Sequence, residues 1–213
     1  ATTVFENIYQ DGNRTQFLHQ KATDLLPRHL PSNWKNSPTV LLCPIADEVS
    51  FDFLNAFENA TICTCPQGWM RQWDARQQVS FKPICNWGRL AEASIISMSE
   101  QDVRCDWDLI EHIVGMANLL VVTQGNQGAT VFRRGARQHF PSFPTQEIDP
   151  TGAGDVFAAA FALKFSESAD EALAAAFAHV AASLSVEGKG LAGISGRAAV
   201  EERFEKYRAL FFK

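Results

Sequence analysis

The chain has 213 residues, 46% hydrophobic and 20% charged, which supplies one sizeable core and lies far from the composition of a disordered segment. Its 19 Lys and Arg against 24 Asp and Glu leave a net charge of −5, and its longest basic run is the pair Arg133-Arg134, which argues against a nucleic-acid binder. The longest strongly apolar run, Val156 to Leu163, ends at Lys164, far short of the roughly 18 residues that cross a bilayer, so no membrane span is expected.

Five cysteines, an odd number with no cleavable signal pattern before them, read as reduced thiols of a cytoplasmic protein rather than a disulfide framework. Cys63 and Cys65 would share one face of a strand. No second Cys/His pair at metal-ligand spacing follows them, so they read as small core residues. The chain starts at Ala1 with no initiator Met.

In chain order, Thr2 to Tyr9 and Arg14 to Ala22 read as extended segments around the turn Asp11-Gly12-Asn13, a hairpin signal. After a proline-punctuated link, Thr39 to Cys43 is an apolar strand. Ala46 to Asn59 carries Val49, Phe53, Leu54 and Phe57 at helical spacing, and Ala60 to Cys65 is extended again. The alternation continues through the strand Ala93 to Met98, a helix around Trp107 to Met116 and the strand Asn118 to Thr123. Continuous apolar runs of this kind suit buried parallel strands, so the class is α/β. Thr130 to Arg133 and Gln138 to Phe143 flank Arg134-Gly135-Ala136 and predict an antiparallel hairpin at one side of the sheet. Residues 149–185 contain 13 alanines, a composition for closely packed helices. One helix is expected from about Gly152 to Phe165. A second is announced by the S-x-x-E capping box Ser168 to Glu171 and should end near Gly188, and a third spans roughly Gly196 to Leu210.

Chemistry concentrates in Asp149-Pro150-Thr151-Gly152-Ala153-Gly154-Asp155. Two glycines at a helix start leave backbone N–H groups unobstructed where the helix dipole favours an anion such as phosphate. Neither a Walker A loop nor the dinucleotide fingerprint G-x-G-x-x-G is present. Asp155 would repel a phosphate unless it accepts a proton from an attacking hydroxyl. The alternative is a small-residue turn in which Asp155 only complements the helix N-terminus.

The segment DPTGAGDVFAAAFA resembles the C-terminal signature of the ribokinase-like, phosphofructokinase-B type carbohydrate kinases. Thr123 to Ala129 is similar to that family's nucleotide-binding turn, and Phe177-Ala178-His179 to Val186 to the helix lining its adenine pocket. Gly12-Asn13-Arg14 resembles part of the lid over the sugar, and Leu42-Cys43-Pro44 a strand end facing the substrate cleft. The resemblance implies a three-layer αβα fold with a mostly parallel sheet. Residues 1–22 would form a β-hairpin lid and residues 39–213 a nucleotide-binding core. It also implies that an N-terminal block with the first strands and a sugar-binding Gly-Gly motif is missing, which would favour association into oligomers.

The activity so implied is ATP-dependent phosphorylation of a sugar, polyol or nucleoside hydroxyl. Asp155 would be the general base, and the amides of Gly152, Ala153 and Gly154 would stabilise the phosphoryl group. Thr123, Gly125, Gly128 and His179 would bind nucleotide. Asp102 would order Mg2+, and Asp149 and Thr151, with the loop Gly188 to Gly190, would hold a monovalent cation such as K+. Ser99-Glu100-Gln101-Asp102 departs from the family's N-x-x-E metal element at both ends. Arg71 reads as facing a phosphate or the substrate, or else as a solvated or salt-bridged side chain. A reading from another class is a kinase-like protein that binds ligands or partners without catalysis.

Overall fold

The structure, a computed structural model, describes residues 1–10, 13–84 and 87–208. Its centre is a six-stranded sheet of β3 (Thr39–Leu42), β4 (Thr61–Thr64), β7 (Ile95–Ser99), β8 (Leu119–Thr123), β9 (Ala129–Arg133) and β10 (Ala136–Phe140), in the order β10-β9-β8-β7-β4-β3. The first four of these strands run parallel, and β9 and β10 are antiparallel additions. The β9–β10 turn, Arg134-Gly135, has φ of 51° and 79°, the positive values that a two-residue hairpin with right-handed twist requires.

Side-chain alternation divides the core. Leu42, Ile62, Ile96, Met98, Leu120 and Val122 face one layer, packed with α1 (Trp107–Val114), Trp69, Trp87 and Leu90. Cys63, Ile95, Leu119, Val121 and Val131 face the other, against α2 (Ala153–Ser168) and α3 (Glu171–Val186). The alanines let α2 and α3 approach closely, and Phe157, Phe161 and Phe165 stack at successive i,i+4 positions along α2, with centroids 6.1 Å apart. α4 (Arg197–Tyr207) packs on α3 through Val200 and Phe204. The result is the expected three-layer αβα arrangement.

A hairpin of β1 (Val4–Gln10) and β2 (Asn13–Gln20) stands off this sheet; its expected turn at Asp11-Gly12 lies outside the described residues. It joins the rest of the chain through Leu18 N–H, which donates to Gln77 O at 2.9 Å, beside a small sheet of β5 (Arg71–Trp73) and β6 (Val79–Phe81).

Two local expectations are corrected. Ala46 to Asn59 is not an α-helix: only a 3-10 turn forms, Phe51–Asn55. The buried Glu48 carboxylate accepts from the amides of Ile45 (3.1 Å) and Ala46 (2.6 Å), and residues 48–50 are tied to Leu25, so the backbone groups of a first helical turn are already committed. Second, Ser168 ends α2 instead of capping α3. Ala169 turns left-handed (φ 53°), and Asp170 caps α3 by accepting from Ala172 and Leu173 N–H at 2.9 Å. The last helix ends at Tyr207, and the positions 209–210 expected in it lie outside the described residues.

Candidate active site

The parallel strands β3, β4, β7 and β8 all end on one edge, so Cys43-Pro44, Cys65-Pro66, Ser99 to Asp102 and Gln124-Gly125 are brought together there, as open α/β sheets bring residues to a ligand crevice. α2 packs across β3, β4 and β7, and its first turn carries Asp155 to this edge.

Gly152 occupies the N-cap with φ 83°, a conformation costly for any residue with a Cβ. Ala153 N–H donates to Pro150 O at 3.2 Å and is therefore engaged, whereas the amides of Gly152, Gly154 and Asp155 have no protein acceptor among the described residues. Of the expected trio, Gly152 and Gly154 thus keep their amides unengaged, as does Asp155 beside them. Nothing lies within 4 Å of where a Gly152 or Gly154 Cβ would stand, so the cradle is open to a ligand. The Asp155 side chain keeps solvent contact. Even so, loss of hydration first, and the charge of Asp102 second, raise its pKa.

Asp102 is tied in place. Its Oδ2 accepts from Ser99 N–H at 2.9 Å and its Oδ1 from Gln67 Nε2 at 2.6 Å, while Ser99 Oγ accepts from Gln101 N–H. Ser99 and Asp102 therefore form a reciprocal cap on the turn Glu100–Val103, and the shorter carboxylate suits this geometry. Gln67, which the sequence did not single out for a role, fixes the carboxylate. Behind the cleft floor, hydrogen-bonded Cys43 and Cys65 have thiol pKa values raised. For Cys43 that contact leads and burial follows. For Cys65 the Cys43 contact opposes the rise, which comes from Cys63 and burial.

Asp149 Oδ1 accepts from Thr151 N–H at 3.0 Å and Oδ2 from Gly190 N–H at 3.1 Å, clamping the two loops that sequence paired as a cation site. The Thr151 side chain first, and then these two N–H groups, hold the Asp149 pKa below the ordinary range. Among the described residues, no group of three or more His, Cys, Asp or Glu converges as a metal site. Magnesium held by one or two carboxylates plus substrate phosphates does not need such a group.

Thr123 ends β8, and its hydroxyl donates to Met98 O. Gly125 faces open space, but Gly128 has a packing reason of its own: at φ 105°, a Cβ there would stand 2.1 Å from Phe140 O. His179 is 6% exposed, edge-on to Phe157 at 5.0 Å, and its Nε2 has no partner. Burial first, then His139, lowers its pKa to about 4, so the ring is neutral near pH 7. A cavity of about 310 Å3 opens between β2, β5, β6 and the turn after β7, with Asp102 in its wall. A larger one of about 430 Å3, between Leu184, Ala199 and Phe143-Pro144, is lined by Leu184 of the segment likened to the adenine-pocket helix but by none of the individual candidate site residues.

Residues 91–195 match the model of the pfkB family carbohydrate kinases. Ribokinase of Bacillus subtilis is 44% identical over 84 residues, 39% of this chain and 29% of that protein. Fructokinase of Klebsiella pneumoniae is 32% identical over 177 residues, 75% of this chain and 57% of that protein. The chain thus spans well under two thirds of the length of these curated relatives. Among solved structures, ribokinase of Thermotoga maritima superposes with a TM-score of 0.72 at 20% identity, over 96% of this chain and 71% of that one. Ribokinase of Arabidopsis thaliana, solved with ribose and ATP, gives 0.71 at 22% identity, over 94% and 68%. No helix among the described residues is long and apolar enough to cross a membrane. Residues 91–195, just under half of the chain, thus carry the match to the pfkB family carbohydrate kinases, and the chain as a whole is similar in fold to solved ribokinases.

Proposed function

We propose that this chain transfers the terminal phosphoryl group of ATP to a hydroxyl of a small sugar, polyol or nucleoside. The observation that carries the reading is Asp155 in the first turn of α2, a carboxylate with raised pKa beside the unpaired amides of Gly152 and Gly154 and its own. Asp155 removes the proton as the acceptor oxygen attacks phosphorus. The amides take up charge on the transferring group, and ADP departs. Thr123 and Gly125 at the end of β8, with His179 on α3, serve the nucleotide; the partnerless His179 Nε2 is a buried polar atom that suits a ligand contact.

The donor chemistry of Asp102 fits Mg2+: each oxygen accepts one N–H and keeps a lone pair for a metal-bound water. The ion, when bound, neutralises phosphate charge. The Asp149–Thr151 turn, joined to Gly190, is the place for a K+ ion. The β1–β2 hairpin serves as the lid over the acceptor.

The test is a nucleotide-consumption screen against sugars, polyols and nucleosides with wild type and Asp155→Asn. Turnover should fall by about two to four orders of magnitude in the variant while ATP binding persists. An Asn variant that keeps most of the wild-type rate would remove Asp155 as the base. A wild type that binds ATP yet consumes none with any acceptor would favour the non-catalytic reading, for which the committed Asp102 carboxylate speaks.

A further inference from the structure

Resting on the phosphotransfer reading, we propose that the acceptor is anionic. It would be a small polyhydroxylated molecule carrying a phosphomonoester or a carboxylate, which Arg14, Arg71 and Arg104 bind in the cavity walled by Asp102. The three guanidinium groups come from β2, the start of β5 and the turn after β7, and they line one space of about 310 Å3, near the lower end of small-ligand pockets.

Several arginines elsewhere on the fold find carboxylates, Arg133 with Glu171, Arg197 with Glu167 and Arg203 with Glu187, while the exposed Arg28, Arg76 and Arg134 line neither of the two cavities. Arg14, Arg71 and Arg104 form no such pair among the described residues, although they share a cavity. Arg71 is the best fixed of the three. It is only partly exposed, its Nη1 donates to Ile45 O at 2.8 Å, and its guanidinium lies 5.3 Å from the Phe5 ring centroid. Its pKa is lowered, first by burial and then by the charge of Arg14, so two cations repel one another across this cleft. Arg104 lies over the Phe81 ring at 5.2 Å, which leaves the edge of its planar fork for a ligand. Asp102 and Glu48 also face Arg71, but both carboxylates are already engaged by N–H groups, Asp102 by Ser99 and Gln67 and Glu48 by Ile45 and Ala46.

Guanidinium forks match the paired oxygens of phosphate and carboxylate, and an anion between Arg14 and Arg71 relieves their repulsion. Asp102 links this cavity to the chemistry, since it lines the space and its charge is felt at Asp155. An acceptor with its hydroxyl at Asp155 has its charged end toward the arginines.

The experiment measures turnover with a hexose, its 6-phosphate and the corresponding aldonate. Wild type should prefer an anionic acceptor over the neutral one by about tenfold to a hundredfold in kcat/KM, the worth of one or two charge-assisted hydrogen bonds. Preference for the 6-phosphate identifies a phosphomonoester, and preference for the aldonate identifies a carboxylate. Arg71→Met should reduce that preference by about tenfold or more, with KM for ATP unchanged. Arg14→Gln, on the exposed hairpin, gives the same readout should Arg71→Met fail to fold. Equal use of neutral and anionic acceptors by wild type overturns the proposal and leaves phosphotransfer standing. A raised KM for ATP with unchanged acceptor preference also overturns it, assigning the arginines to the nucleotide. If no acceptor supports ATP consumption, the phosphotransfer reading falls instead. Calorimetric titration with hexose 6-phosphate then decides the anion site: binding that Arg14→Gln weakens supports it, and no binding to wild type overturns it.

Discussion

In its proposed role as base, Asp155 sets catalysis against stability. Its carboxylate loses hydration and feels Asp102, so its folded pKa is raised above the unfolded value and the fold favours the protonated form. For such a group the stabilising contribution is complete below the unfolded pKa and is lost as pH rises through the folded one. At pH 7 the charge that the proposed proton abstraction would need therefore weakens the native state. Asp155→Asn, which removes the charge and keeps the shape, should melt above wild type at neutral pH, and the gap should shrink near pH 3, where wild type is protonated too. Thermal melts across this range check it. A variant less stable than wild type at pH 7 would mean that the carboxylate makes a favourable contact outweighing its desolvation. The same tension holds at many catalytic sites, where function is kept at a cost in stability.

At the scale of elements, the first turn of α2 separates two glycines that look equivalent in G-A-G. Gly152 has φ 83°, so Gly152→Ala forces a left-handed conformation at about 1–2 kcal/mol and should lower Tm by a few degrees. Gly154 is helical with open space around it, so Gly154→Ala should leave Tm equal or raised by helix propensity, yet its methyl group enters the space a phosphoryl group would use and turnover should fall. Calorimetry beside rate measurement checks the pair, and the opposite ranking of stabilities would overturn this account of the cap. The GAGD turn was legible because its residue types carry their own chemistry, and β7 and β8 because buried parallel strands are unbroken apolar runs. The segment 46–59 misled because its helical spacing is real but Glu48 and Leu25 take up the backbone groups first. β5 and β6 are three-residue strands without a hydrophobic period, and the arginine cavity joins segments from positions 14, 71 and 104, so neither leaves a local signal. Ser168 and Asp170 both fit a cap by type. The left-handed turn at Ala169 decides between them.

For the whole molecule, pH sums these local terms, and their signs differ. Asp149, Glu167 and Glu187 have depressed folded pKa values, from Thr151, Arg197 and Arg203 respectively, so their stabilisation is present above the unfolded carboxylate range and lost as pH falls through the folded values. Asp155 opposes them in the same acidic range. None of the three depressed carboxylates bears on the interval from pH 6.5 down to about 5, where the neutrality of the His179 ring comes to cost stability. Its folded pKa of about 4 lies below the unfolded 6.5, because the ring is buried, edge-on to Phe157, and because of the charge of His139. Unfolding therefore takes up a proton as pH falls below 6.5. Full stability above that value should decline by about 2 kcal/mol by pH 5. For a chain of this length that is a fall in Tm of roughly 4–8 °C, read from melts at pH 7.5 and pH 5. His179→Gln removes the titrating group at similar polarity and should flatten the curve over this interval even if its absolute stability is lower. A variant that keeps the wild-type slope would show that protonation elsewhere governs acid stability, and that His179 does not stay neutral in the folded protein.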